Sequence, residues 1–289
     1  MSGAPLLVAT DLDGTLLRSD GTVSERTARA VAAVQRAGLR FVVATARPPR
    51  WMHDLLPVVG ERGVAICSNG AFSYDVVHRA VLAERTMSRE TVTEVVALLR
   101  RAVPEISFAV ETRVGFGMEP TYVDMYTPPE GAPVADIAEL LATHLPGKLL
   151  ARAPALDDAN FLATVVSVVG ERAVVAFSGS EGLAEMSAPG VTKAAVLAEW
   201  CDEWGIDPHA VVAFGDMPND LAMLRWAGTS YAVANAHPDV RRVASEVCPA
   251  NDEDGVASVL ESLATARAEE PEDHLRAGIS SRRLRDSRP

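Results

Sequence analysis

Cysteine is scarce in this chain of 289 residues: Cys67, Cys201 and Cys248 are its three, widely spaced and odd in number. That pattern excludes a disulfide framework and a zinc ribbon, and reduced, buried thiols are expected. No apolar run approaches the roughly 18 residues of a membrane span. The first residues, Met1-Ser2-Gly3-Ala4-Pro5, run straight into an apolar strand and leave no room for a signal peptide, so a cytoplasmic protein is expected. Positive charge is also short. Lys and Arg number 27 against 39 Asp and Glu, a formal net charge of −12. A nucleic-acid partner is disfavoured, because phosphate backbones reward clustered cations. A small anionic ligand stays open, since its site needs only a few local positive charges. There is no internal repeat, and nothing points to an obligate protein partner or a membrane.

Apolar residues make up 48% of the chain, enough for a real core in one large domain or two modest ones. Leu6 to Thr10 is a short continuous apolar run, as a strand buried on both faces should be. Asp20-Gly21 between apolar pairs signals a hairpin. Ser24 caps a predicted helix that runs to about Ala37 and stops at Gly38. Strands are predicted at Arg40 to Ala44 and Val64 to Cys67. This alternation indicates an α/β, doubly wound parallel sheet of Rossmann-like form.

From about Arg79 to Ser187 the pattern changes. Helices are predicted at Ser88 to Val103 and Val134 to Leu145. Strands are predicted at Ile106 to Thr112, Tyr122 to Tyr126, Gly147 to Ala151, Thr164 to Val169 and Val174 to Ser178. Polar, Gly and Pro turns separate them, which suggests an inserted α+β domain with an antiparallel sheet. The first pattern then resumes, with a helix at Thr192 to Trp204, a strand at Val211 to Phe214, a helix at Pro218 to Ala227 and a strand at Tyr231 to Ala234. The expected division is a discontinuous core, 1–78 and 188–265, around an insertion at 79–187. The segment 266–289 mixes charges with Pro, Gly and Ser and is expected to be a disordered tail.

Chemistry-bearing groups gather where buried strands end. In open α/β sheets the ligand crevice lies outside the carboxyl ends of the strands. Asp11 and Asp13 stand two apart just past the first strand, so in extended chain they point the same way. Converging carboxylates repel, and a divalent cation is the simplest compensation. Alone, the pair would more often shape or cap a turn. Asp216 and Asp220, after another buried strand, add two more acids and favour an oxygen-ligand site suited to Mg²⁺. Lys193 lies in the first turn of its helix, where the dipole disfavours a cation. Thr45 ends a strand with a hydroxyl and nearby backbone N–H groups that could hold a phosphate oxygen.

The set Asp11-Leu12-Asp13-Gly14-Thr15-Leu16, Thr45, Lys193 and Gly215-Asp216-x-x-Asn219-Asp220 resembles the haloacid dehalogenase (HAD) superfamily of phosphotransferases. The long insertion before Lys193 resembles the Cof-type subgroup, whose C2 α/β cap sits there. Ala44-Thr45-Ala46-Arg47-Pro48, Ser68-Asn69-Gly70-Ala71 and Asn251-Asp252-Glu253-Asp254-Gly255-Val256-Ala257 extend the match over roughly residues 5 to 264. Ala46 stands where the subgroup usually has Gly, and Ala234-Asn235-Ala236 where Gly-Asn-Ala is common. Neither change removes a catalytic group.

The resemblance implies an HAD core with a cap, and a Mg²⁺-dependent phosphatase acting on small phosphorylated metabolites. Sugar phosphates, pyridoxal phosphate and flavin mononucleotide are the substrate types implied. Asp11 would be the nucleophile and form an aspartyl-phosphate. Asp13 would be the acid and base, its pKa raised by crowding from negative charge. Asp11, the backbone carbonyl of Asp13 and Asp216 would hold the metal. Thr45, Ala46, Arg47, Lys193 and Asn219 would contact phosphate, Asp220 would orient Lys193 or a metal-bound water, and Gly14 and Thr15 would shape the loop. Phe116 to Tyr122 and the pair Met125-Tyr126 could line a pocket for a flat ring or belong to the cap's core and loops. A phosphomutase, or a non-catalytic regulatory protein on the same scaffold, are the alternatives. A response-regulator receiver fits poorly, because the third strand ends in Cys67-Ser68-Asn69 with no Asp.

Overall fold

The computed structural model describes residues 5–55, 59, 63–123, 126–154, 156–177 and 182–269. The first strand, β1 (Leu7–Thr10), is buried at every position. After it, Asp20-Gly21 makes a tight turn in which Gly21 N–H donates to Arg18 O at 2.8 Å and Arg18 N–H to Thr22 O at 2.9 Å. The expected hairpin strands are absent there, because Leu16 and Leu17 are both sunk into the core instead of alternating between core and solvent. Helix α1 (Glu25–Arg36) starts where Ser24 Oγ accepts the Thr27 N–H. Strands β2 (Arg40–Ala44) and β3 (Val64–Cys67) follow in parallel register with β1.

Two further strands, β4 (Phe72–Asp75) and β5 (Ala80–Glu84), had no counterpart in the sequence reading. They continue the sheet antiparallel beyond β3. The chain therefore enters the insertion after Glu84, and residues 80–84 belong to the first sheet.

The insertion is built from α2 (Arg89–Ala102), β6 (Ser107–Thr112), β7 (Gly115–Met118), α3 (Ile137–Thr143), β8 (Lys148–Arg152), α4 (Asp158–Val169), β9 (Val174–Ala176) and β10 (Leu183–Ser187). Its antiparallel sheet has the order β7-β6-β8-β10-β9. The expected strand at 164–169 is instead the end of α4. Asp157 caps that helix, and Phe161, Val165 and Val169 recur at helical spacing, all fully buried. The β-branched run Val165-Val166-Ser167-Val168-Val169 resembled a strand locally, but the core accepts only every fourth residue of it. The strand expected at Tyr122 to Tyr126 is displaced to β7. Tyr122 itself sits in a turn, its N–H on Glu119 O at 3.0 Å. Met125 lies outside the described residues. Helix α3 is shorter than expected because Val134 bridges to Met118 and Asp136 provides the cap.

The chain then returns through α5 (Lys193–Trp204), β11 (Val211–Gly215), α6 (Leu221–Trp226), β12 (Thr229–Val233), α7 (Pro238–Val243), β13 (Glu246–Cys248) and α8 (Gly255–Ala268). The core sheet has the order β13-β12-β11-β1-β2-β3-β4-β5, parallel from β13 to β3. The helix α8 carries residues 266–268, and the remainder of the expected tail, beyond 269, lies outside the described residues. All three cysteines are buried and unpaired. Among the described residues no helix is long and apolar enough to cross a membrane.

Each sheet has its own hydrophobic core. In the inserted sheet, alternation sends Leu149 and Ala151 of β8 into that core beneath the helices. Their neighbours Lys148, Leu150 and Arg152 face the other way and line a cavity. One face of this sheet is thus apolar and the other carries charge, although both are covered.

Candidate active site

The carboxyl ends of β1, β2, β3 and β11 converge, because the parallel strands share one register and all end at the same sheet edge. Asp11 follows β1 directly, its N–H on Phe214 O at 3.1 Å. Lys193 opens α5 and is only 1% exposed. Its Nζ donates to Asp11 Oδ1 at 2.6 Å and to Asp220 Oδ1 at 2.7 Å. Two carboxylates thus compensate a cation placed at the unfavourable end of a helix. Burial alone would lower the Lys193 pKa, but Asp11 and Asp220 outweigh it and hold the ammonium charged.

Asp220 is fully engaged. Its Oδ2 accepts the N–H of Asp216 and of Met217, each at 3.1 Å. Gly215 makes this turn possible, since a Cβ there would lie 2.6 Å from Asp220 Cβ. Asp216 Oδ1 accepts from Thr15 Oγ1 at 2.8 Å. Gly14 has a left-handed φ of +76°, and a side chain there would strike Asp216 Oδ2. Asn235 pins the same loop, its Nδ2 on Gly14 O at 2.8 Å, so Ala234 and Ala236 leave that contact intact.

Asp11, Asp216 and Asp220 present carboxylate oxygens within 4.8 Å of one another. Three acids face one ammonium, and this excess of negative charge adds to the effect of burial on Asp11 and Asp216. Burial, then the nearby Asp220 carboxylate, pushes Asp216 up to about 6. Burial also raises Asp11 well above the ordinary range, against the pull of Lys193. A divalent cation would relieve both, and hard oxygen donors suit Mg²⁺. Asp11, Asp216 and Asp220 are the carboxylates that could hold it, and Asp220 is the most heavily engaged of the three by hydrogen bonds.

Thr45 is fully buried, and its Oγ1 accepts the Arg47 N–H at 3.0 Å. The expected crowding of Asp13 by negative charge is not what the fold provides. Its carboxylate is half exposed and faces Arg47, whose Nε lies 2.8 Å from Oδ2 and whose Nη2 lies 2.5 Å from Oδ1. Asn219 donates through Nδ2 to Asn69 Oδ1 at 3.1 Å. Asp11, Asp13, Arg47, Met217 and Asn219 border one cavity of about 390 Å³ between the core and the inserted sheet, whereas Thr45 does not.

The cavity's far wall was not legible as a site in the sequence. Lys148, buried at 2% exposure, donates to Glu185 Oε1 at 2.5 Å and to Ala46 O at 2.8 Å. Arg50 reaches across to Glu111, its Nη2 at 2.6 Å from Oε1. Trp51 packs edge-on to Tyr126, ring centroids 4.8 Å apart, and both line the cavity with Tyr122. Of the residues that could line a ring pocket or belong to the cap's core, Tyr122 and Tyr126 are at the cavity, whereas Phe116 is buried against Tyr122. Only the two-residue spacing of Lys148, Leu150 and Arg152 in one strand hinted at a second polar face.

A family profile described as haloacid dehalogenase-like hydrolase matches residues 8–260. The 5-amino-6-(5-phospho-D-ribitylamino)uracil phosphatase YitU of Bacillus subtilis is 27% identical over 278 residues, covering 90% of this chain and 98% of its own. The pyridoxal phosphate phosphatase YbhA of Escherichia coli is 26% identical over 265 residues, covering 89% and 97%. Among solved structures, BT1666 of Bacteroides thetaiotaomicron superposes with a TM-score of 0.76 at 23% identity, covering 90% of this chain and 95% of that one.

Proposed function

The chain belongs to the haloacid dehalogenase-like hydrolases, of the Cof type, and is a phosphatase; we propose that it hydrolyses small phosphate monoesters in two steps through Asp11, with Mg²⁺ as cofactor. The observation that carries this reading is Lys193, buried between Asp11 and Asp220 with Asp216 completing the acid cluster. Such a cluster fixes a carboxylate in place at the cavity wall, and a cation bound among its acids would favour the ionised, nucleophilic form.

An Asp11 carboxylate oxygen attacks phosphorus. The O–P bond to Asp11 forms as the ester P–O bond breaks, and Asp13 delivers a proton to the departing alkoxide. Water then attacks the aspartyl-phosphate. Asp13 takes the water's proton, the Asp11 O–P bond breaks, and inorganic phosphate leaves. Lys193, Arg47, Asn219 and the backbone at Ala46 would hold the phosphoryl oxygens, and Thr45 would support that loop from within through its bond to the Arg47 N–H. Asp11, Asp216 and the Asp13 carbonyl would hold Mg²⁺, which when bound neutralises charge on the transferring group. The inserted sheet forms the far wall of the cavity and would limit the access of water to it.

The leaving group rests against Trp51, Tyr122 and Tyr126 and meets the charged face of the inserted sheet. This supports a polar ester carrying a ring, of the sugar phosphate, pyridoxal phosphate or flavin mononucleotide type. The test is hydrolysis of p-nitrophenyl phosphate and of a metabolite panel, with and without Mg²⁺. Activity that survives full chelation, or a panel on which only diesters turn over, would refute the proposal.

A further inference from the structure

We propose that Glu185 is a positioning residue of the phosphate pocket: its carboxylate fixes the amide of Asn69 and, through it, the amide of Asn219. The inference rests on the reading above that Asn219 contacts phosphate. Glu185 belongs to β10 of the insertion, whereas Asn69 follows β3 and Asn219 follows β11 in the core. The chain of contacts therefore exists only while the insertion is docked on the core.

The argument is one of donors and acceptors. An ionised carboxylate only accepts. Glu185 Oε2, 3.2 Å from the Asn69 amide, therefore requires Nδ2 on that side. Asn69 must then turn Oδ1 to Asn219, which must answer with its own Nδ2, at 3.1 Å. Reversing either amide would place two donors or two acceptors in contact. Lys148 anchors the start of the chain from the other side, on Glu185 Oε1, and ties it to the Ala46 carbonyl of the phosphate loop.

Two further observations agree. Ser68 and Asn69 both have left-handed backbone, φ 51° and 57°, a conformation that costs energy outside glycine and is tolerated best by Asn and Asp. The fold keeps that strain where it delivers the Asn69 amide between the two sheets. At the other end of the chain, Asn219 Oδ1 is buried and has no partner among the described residues. The protein alone does not satisfy this amide. Its second N–H is the group that can donate to a phosphate oxygen in the cavity that Asn219 lines, and its oxygen is left for a donor such as a hydroxyl of the ligand or a water.

The experiment measures inhibition of p-nitrophenyl phosphate hydrolysis by inorganic phosphate, using the full-length Mg²⁺-loaded enzyme. In Glu185→Gln, Lys148 retains the single carbonyl oxygen. The new amide nitrogen then faces Asn69, and both amides must turn over. The reversal turns Asn219 Oδ1 onto Asn69 and exchanges the atoms that Asn219 presents to the cavity, so the phosphate KI should shift about tenfold. In an Asn69→Gly background, where the left-handed backbone survives but the chain is cut, Glu185→Gln should add nothing. The same factor in both backgrounds, or no effect in the wild-type background, overturns the relay. If Asn219→Ala leaves KI unchanged, Asn219 does not bind phosphate, and that reading fails separately. Should Glu185→Gln not fold, Asn69→Gly and Asn219→Ala carry the test. The relay requires the double variant to be no worse than Asn219→Ala alone, and additive losses overturn it.

Discussion

Arg47 holds Asp13 side-on, its Nε 2.8 Å from one carboxylate oxygen and its Nη2 2.5 Å from the other. Both residues face the cavity, and both have proposed roles in the reaction. A phosphate entering the cavity competes with Asp13 for this guanidinium, so substrate binding itself would release the acid.

Arg47→Ala should therefore raise KM by roughly 10- to 100-fold, the worth of a charged hydrogen bond to phosphate. Thermal stability should hardly change, because an ion pair this exposed contributes little. Steady-state kinetics and a melting curve check both. An unchanged KM with a fallen kcat would show that Arg47 serves Asp13 alone.

Asp11→Asn should fold and lose turnover by a factor of about 10³ or more, since an amide keeps the shape but is not a nucleophile. Because burial raises the Asp11 pKa, removing its charge relieves a cost, and the metal-free variant should melt no lower than wild type at pH 8. A variant that keeps a tenth of the wild-type kcat would exclude Asp11 as nucleophile.

Lys193→Met should cost about 3–5 kcal/mol at pH 8, the usual penalty for leaving a buried charge without its partner. Asp11, Asp216 and Asp220 would then face one another with no cation among them. Protonation relieves this repulsion, so the deficit should shrink as pH falls towards 5. Urea melts at the two pH values measure it, and a deficit that grew on acidification would contradict the charge assignment.

Stabilisation by Mg²⁺ should be small at pH 5 and large at pH 7.5. Asp216 titrates near 6 in the metal-free fold, above its ordinary 3.8. The folded state therefore binds the extra proton between those values, and stability falls as pH rises through that window. Mg²⁺ competes with this proton and restores the loss only where Asp216 is ionised. Equal melting shifts at both pH values would place the metal elsewhere.

The sequence by itself determined the core strands and the order of Asp11, Thr45, Lys193 and Asp216 along them. Buried parallel strands read as continuous apolar runs, and the chemistry sits at their ends. It also marked the insertion, through the loss of strand–helix alternation. It did not determine local structure where tertiary packing overrides propensity. The valine-rich end of α4 reads as a strand until Phe161, Val165 and Val169 are seen to share one buried face. Strand β5 carries no such signal because it is an edge strand, mostly exposed, with no alternation to reveal it.

What only the tertiary structure decided is the wall opposite the nucleophile. Lys148 and Glu185 are 37 residues apart, and Asn69 and Glu185 are 116 apart. In the sequence each is one polar residue, Lys148 at the start of a strand, Glu185 in the middle of one and Asn69 in a turn. Their meaning depends on which face of the inserted sheet turns towards the core, and on a docked arrangement that no local pattern encodes. Asp13 shows the same limit. Its position beside Asp11 suggested crowding by negative charge, but the fold brings Arg47, 34 residues away, to its carboxylate. Periodicity and motif spacing fix which residues reach the sheet edge. Pairing across that edge is set by the long-range contacts that bring the two sheets together.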